Sequence, residues 1–122
     1  MSNKVKYGGY LVRMADCSGC HTPDDKYLLA GGMKFNEGTF KVTSANITPD
    51  SSSGIGAWSE QAFLDKFIMC RSKQGYNYNP GKQNTIMPVI DFSGMTDGDL
   101  KAIYAYLRTV KPVKNIVIKY PN

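Results

Sequence analysis

Five consecutive residues of this 122-residue chain carry a complete piece of chemistry: Cys17-Ser18-Gly19-Cys20-His21. Two cysteines with this spacing can each add to one vinyl group of a single porphyrin, making two thioether bonds. The adjacent His21 then faces the iron as its proximal ligand. Covalent haem c bound through Cys17 and Cys20 is the reading that employs all three side chains. A thioredoxin-like dithiol also uses C-x-x-C, but it belongs beside a βαβ pattern that is absent from this sequence. A zinc site would have to draw on Cys17, Cys20, His21 and Cys70. Adjacent residues such as Cys20 and His21 chelate one tetrahedral ion poorly, and the usual second ligand pair is missing. Chance is the remaining alternative in a chain with three cysteines.

His21 is the sole histidine, so no second imidazole can serve the other face of the iron. That face takes Met, Lys, a weaker donor, water or nothing, and position must choose among the six methionines. Met14 lies on the helix leading into the motif, and Met69 sits inside a helix beside an apolar stripe. Met1 and Met33 have no support. Met95 directly precedes a helix cap, where the backbone is already committed. Met87 lies in the long stretch Thr85-Ile86-Met87-Pro88-Val89 before the last helix, which can fold over the distal face, and Pro88 stiffens the backbone after it. Met87 is therefore the expected sixth ligand and Met95 the runner-up. A thioether ligand raises the reduction potential and keeps the iron low-spin. The bland alternative for any of these methionines is filling a gap in the core.

The elements that must position these residues are short helices between long irregular connections. Residues 4–16 predict a first helix with Val5, Leu11, Val12 and Ala15 apolar and Gly8-Gly9 weakening its middle. Residues 22–57 are rich in Gly, Pro, Asn and Thr and predict loop, with short strands around Met33–Phe35 and Phe40–Thr43. Ser59 suits an N-cap for a helix to about Ser72, with Glu60 near its positive end. Phe63, Leu64, Phe67, Ile68 and Cys70 form its stripe, and Gly75 suits its exit. Residues 76–95 again predict loop. Thr96 opens a last helix to about Val110, with Asp99 completing a capping-box pattern and Pro112 closing it. Leu100, Ile103, Tyr104 and Leu107 form its buried face. The tail 113–122 is expected to be extended, in a place the pattern does not specify.

This predicts a mainly α, single-domain chain over 1–122, with a core at about 4–110 and a tail at 111–122. Three or four helices joined by loops longer than the usual ~12–15 residues need something to wrap around. A large apolar cofactor would supply the missing core.

Composition narrows the partners. Hydrophobic residues make up 42% and charged residues 20%, an ordinary globular mix, and no apolar run approaches a membrane span. Net charge is +5, yet the lysines are scattered and only Arg13, Arg71 and Arg108 are arginine. Nucleic-acid binders concentrate charge and lean on Arg, so nucleic acid is not an expected partner. Diffuse positive charge suits attraction to an acidic protein surface, with a merely solubilising surface as the alternative.

A wider resemblance supports the haem reading. Tyr10-Leu11-Val12 and Asp16-Cys17-Ser18-Gly19-Cys20-His21-Thr22 resemble the haem domains of the cytochrome c subunits of bacterial membrane-bound alcohol and gluconate dehydrogenases. So do Ala30-Gly31-Gly32, Asn46-Ile47-Thr48-Pro49-Asp50, Gly54-Ile55-Gly56-Ala57-Trp58-Ser59, Met87-Pro88 and the run from Met95-Thr96-Asp97 to Leu100–Arg108. The likeness covers about residues 8–110. It implies a class I cytochrome c fold, with helices and long loops wrapped around one covalent haem, His/Met ligation by His21 and Met87, and electron transfer rather than catalysis. Those subunits carry three such domains and a membrane anchor, whereas one C-x-x-C-H stands here.

Within that frame, Trp58 is expected near a haem propionate, or else as a core aromatic. Arg71 can pair with a propionate bidentately, or remain a surface arginine. His21 should donate its other ring N–H to a carbonyl within residues 22–35. Cys70, left over once the haem takes two thiols, is expected as a buried inert thiol, with a disulfide-linked dimer the lesser alternative. Tyr10 and Tyr104 are candidates for the crossing of first and last helices, with Gly8 or Gly9 allowing close approach. The expected protein is a monomeric electron carrier between a dehydrogenase donor and an oxidase or cytochrome acceptor. The alternative is an open sixth site for gas sensing or peroxidase-like chemistry, against which the lack of a second histidine weighs. Haem attachment by this motif implies export to the periplasm. The missing signal segment then means a processed form, and membrane association through a missing anchor stays open.

Overall fold

The computed structural model describes residues 2–72, 74, 81, 85 and 87–121. Helix α1 spans Asn3–Met14, capped by the Ser2 hydroxyl, which accepts from the Val5 amide. The single-turn helix α2 is Cys17–His21. Strands β1 (Lys34–Asn36) and β2 (Lys41–Thr43) pair antiparallel, with Phe35 opposite Val42. Helix α3 is Glu60–Ile68, followed by a 3₁₀ turn at Met69–Arg71. A single turn α4 (Val89–Phe92) leads to α5 (Asp97–Leu107).

Local chemistry explains the three long helices. The Ser59 hydroxyl accepts from the Ala62 amide, and Glu60 lies at the positive end of α3. Thr96 and Asp99 form the full reciprocal capping box of α5. Their apolar faces meet in one cluster built on Val12, Leu29, Ile55, Phe63, Leu64, Phe67, Leu100, Ile103 and Leu107. Helices, long loops and one short antiparallel hairpin make up the described residues, a mainly α arrangement of the kind the resemblance implies.

Helix α1 crosses α5 at Gly8 and Gly9. A Cβ on Gly8 would lie 1.9 Å from the Ala102 carbonyl oxygen, so only glycine permits this approach. A Cβ on Gly9 would lie 2.9 Å from the Tyr106 ring. The glycines that locally weaken α1 thus make its main contact. The crossing partners differ from the expected tyrosines. Tyr10 is half exposed and stacks on Tyr7, and Tyr104 packs on Phe63 with ring centroids 5.6 Å apart.

Three further differences have physical causes. The turn α4 falls in a stretch expected to be loop; four residues carry no periodicity, and no side chain caps it. The last helix ends at Leu107 rather than about Val110. The tail has a definite place, clipped to the 43–53 loop by side chains far away in sequence. Buried Asn46 donates to the carbonyls of Val113 (2.8 Å) and Asn115 (3.2 Å), and the Thr48 hydroxyl accepts from the Val113 amide. The Asn115 amide donates to Ser53, its side-chain amide donates to the Ala30 carbonyl, and Thr43 N donates to the Lys119 carbonyl at 2.7 Å. Gly75, expected at the exit of α3, lies outside the described residues. Among the described residues no helix is long and apolar enough to cross a membrane.

Candidate functional site

A cleft in two adjoining lobes, about 240 and 260 Å³, opens between α2, α3, α4, α5, the 43–55 loop and the tail. Cys17, His21, Ala45, Met87 and Phe92 stand in the walls of both lobes. The deeper lobe is walled by Ile55, Trp58, Phe63, Phe67, Leu100, Ile103 and Leu107. These residues belong to, or in the case of Trp58 pack against, the same buried cluster on which the helices meet, so the cleft borders the core.

The motif is held by its own backbone geometry. Asp16 adopts the left-handed region (φ 55°) just before α2, and the Gly19 amide donates to its carbonyl. Cys17 is half-buried and Cys20 exposed, so the two thiols stand at the rim and inner edge of one opening. Burial pushes the free Cys17 thiol up to about 11.

His21 is buried and its Nδ1 lies 2.6 Å from the Ala45 carbonyl oxygen. A carbonyl can only accept, so Nδ1 carries the proton and the lone pair is left on Nε2. Burial pushes the imidazole below its ordinary value; the Ala45 bond works the other way, and the Lys119 charge lowers it again. The partner carbonyl lies beyond the expected 22–35 window because the chain doubles back. Gly31, at φ +75°, lets Ala45 lie so close that a Cβ would be 2.4 Å from its carbonyl carbon, and the Gly31 amide donates to the His21 carbonyl. Neutral imidazole, with its orientation fixed by a carbonyl, is the form that ligates a metal.

The methionines separate by position. Met14 and Met69 are mostly exposed, and Met33 is absent from the cleft walls. Met95 lines only the deeper lobe, while Met87 lines both and donates its amide to Thr85. Met1 lies outside the described residues.

Trp58 lines the deeper lobe, with the Lys66 ammonium 5.7 Å from its ring centroid. Its carbonyl accepts from the Tyr104 hydroxyl at 2.6 Å. Arg71 is elsewhere. Its guanidinium donates to the carbonyls of Ser93 (2.9 Å) and Met95 (2.6 Å) and to Asp97 (2.6 Å), and it does not line the cleft. The sequence offered Arg71 a haem propionate or the open surface; in the structure its bonds fix the turn between α4 and α5. Cys70 is half-buried rather than fully enclosed.

Sequence reasoning missed the framework residues Asn46, Thr48, Asn115 and Arg108, whose Nη1 donates to the Gly56 carbonyl at 2.9 Å. Asn46, Thr48 and Arg108 stand in runs that carry the resemblance, but their partners lie many residues away and the runs do not name them. It also missed Lys119, which lines both lobes.

The cleft fits a flat apolar group bonded to two cysteines at its edge, with one nitrogen ligand ready beside it. The family model for cytochrome c matches residues 5–111. The chain belongs to the cytochrome c family. Its prosthetic group is haem c, attached through Cys17 and Cys20, and its chemistry is haem electron transfer.

Curated relatives agree. The chain is 36% identical over 110 residues to the cytochrome c subunit of a quinone alcohol dehydrogenase from Gluconacetobacter polyoxogenes, covering 89% of this chain and 22% of that one. It is 34% identical over 111 residues to the fructose dehydrogenase cytochrome subunit of Gluconobacter japonicus, with the same coverage of 89% and 22%. It is 36% identical over 110 residues to the gluconate 2-dehydrogenase cytochrome c subunit of Pantoea cypripedii, covering 89% and 24%. This cytochrome c therefore spans less than a quarter of the length of these relatives.

Proposed function

We propose that this chain is a monohaem relay that passes single electrons between partner proteins, with His21 and Met87 as the axial ligands of its iron. One observation carries the ligand assignment: His21 and Met87 line both lobes of the same cleft, and of the described methionines only Met87 does so. Haem c supplies the one-electron ferric–ferrous couple. The chain's own residues do the rest. Ala45 holds the His21 ring in one tautomer. Pro88 stiffens the backbone directly after Met87. The apolar walls exclude water, which favours a raised potential together with the thioether ligand.

Its reaction partner is a dehydrogenase, a reading supported by the relatives, which are cytochrome subunits of dehydrogenases. The positive charge of +5 favours an acidic docking face on that partner and a small, quickly released interface. The relay does no bond-making chemistry of its own. Its compartment is the periplasm, where covalent attachment at this motif belongs, and cell fractionation tests that placement.

Optical spectra of the holoprotein, oxidised, reduced, and reduced under carbon monoxide, test the ligand set. A low-spin spectrum with the weak ferric iron–sulfur band and no prompt response to carbon monoxide is expected. Met87→Ala should abolish the band and admit carbon monoxide. Ready binding by the parent protein would mean an open iron, and the gas-sensing or peroxidase-like reading would replace this one. Loss of the band in Met95→Ala instead would move the ligand. Transfer rates to an acidic partner should fall as salt rises.

A further inference from the structure

The family match ends at residue 111, yet the segment beyond it forms part of the haem cleft. Exposure alternates from residue to residue across 113–119, so successive side chains point to opposite sides of the segment. Ile116 and Ile118 face outward, 76% and 72% exposed, while Val117 and Lys119 line the cleft. The register is set by the bonds from Asn46, Ser53 and Thr43 described above, so Lys119 is delivered to the cleft by a clipped backbone.

Its charge is not answered there. Among the described residues no carboxylate lies within ion-pair distance of Lys119; its ammonium sits 5.4 Å from the Tyr120 ring centroid. Among the described residues, the deeper lobe has two cations in its walls, Lys66 and Lys119, and no Asp or Glu, while Asp16 lines the other lobe. Lys66 lies over Trp58. A partly desolvated ammonium is costly unless an anion joins it. Haem brings two carboxylates into an otherwise apolar cleft, and a charge-assisted bond between ammonium and carboxylate relieves both.

We propose that Lys119 is a haem-carboxylate-binding residue, supplied by the C-terminal segment rather than by the part of the chain that matches the family. The tail is then a strap that brings a counter-charge to the cofactor as well as closing a wall. Because Lys119 lines the cleft, its charge would also disfavour the extra positive charge of the ferric state.

Resonance Raman spectra of the reduced holoprotein read the bending mode of the haem carboxylate side chains directly. That band should move in Lys119→Met and keep its position in Lys119→Arg, which retains the charge and the donors. The midpoint potential should shift downward in Lys119→Met and much less in Lys119→Arg. A band unmoved by Lys119→Met overturns the proposal. So does loss of the low-spin spectrum in that variant with the carboxylate band unchanged, which would make the amine an iron ligand. The carboxylate band does not depend on Met87, so failure here is separable from failure of the axial-ligand assignment.

Discussion

Gly8→Ala adds one methyl group at the place where α1 and α5 are closest. The new Cβ would lie 1.9 Å from the Ala102 oxygen, 2.5 Å from its carbonyl carbon and 3.0 Å from the Tyr106 Cβ. Two of these neighbours are backbone atoms and cannot rotate away. Ordinary contact begins near 3.4 Å, so the helices must separate by roughly 1.5 Å along that line, 3.4 less 1.9. Gaps of ~0.5–1 Å already forfeit a quarter to a half of a dispersion well, and forced overpacking costs about 1–3 kcal/mol. Against this, alanine gains up to about 1 kcal/mol of helix propensity. The clash wins because its backbone neighbours cannot give way, which puts it at the upper end of that range and leaves a net loss of about 2 kcal/mol. At ~4 °C per kcal/mol for a chain of this size, the melting temperature should fall by roughly 8 °C. The assay is guanidinium and thermal unfolding of the ferric holoprotein, followed by far-UV circular dichroism and haem absorbance. Gly98→Ala is the control, because its Cβ would meet nothing nearer than 3.7 Å, and it should be neutral or mildly stabilising. If Gly8→Ala matches the parent or exceeds it, α1 does not cross α5 on a bare backbone and the packing argument fails.

Two other perturbations test the framework. Asn46→Ala removes donors to Val113 and Asn115 and the acceptor for the Thr48 amide and hydroxyl, all at a site 4% exposed. It should cost about 3 kcal/mol and raise hydrogen exchange across 113–119, and unchanged protection there would show that the tail is held by something else. Tyr7 donates to Asp99 at 2.7 Å, which holds the Asp99 carboxyl below its usual range and pushes the Tyr7 phenol up. The clasp is therefore fully present between the ordinary values of 3.8 and 10.0, and is lost as pH falls through the lowered Asp99 value or rises through the raised Tyr7 value. Tyr7→Phe should lower the melting temperature at neutral pH, and the gap from the parent should close at both extremes; a gap independent of pH would remove the ionic part of the argument.

What could be read in advance was what is local. Ser59, Thr96 and Asp99 announce their caps within four residues of the amides they serve, and α3 and α5 follow from stripes at helical spacing. The C-x-x-C-H motif is local as well, which is why the cofactor could be named from five residues. The features that escaped are those whose partners are distant. His21 looks 24 residues ahead to Ala45 because Gly31 lets two loop segments nest. Arg71 reaches acceptors 22 to 26 residues away, so its neighbours on α3 say nothing about them. Lys119 stands in a tail with no periodicity, and only the chain of hydrogen bonds from Asn46 to Thr43 puts it at the cleft.

These distant bonds share a logic that bears on electron transfer. Where regular structure is sparse, backbone N–H and C=O groups near an apolar cleft still need partners. Side chains supply them: Arg71 for the Ser93 and Met95 carbonyls, Tyr104 for that of Trp58, Arg108 for that of Gly56, Asn46 for Val113 and Asn115. Each tie joins segments distant in sequence, so the loops around the cleft are cross-braced rather than merely folded over it. A relay needs walls that keep their positions when the charge inside changes by one, because every displaced dipole adds to the barrier. On this view the polar framework, although it touches no electron, decides how rigid the cleft is. The bracing ties in the tail and α5 should therefore affect transfer rate even where they leave ligation and spectrum intact.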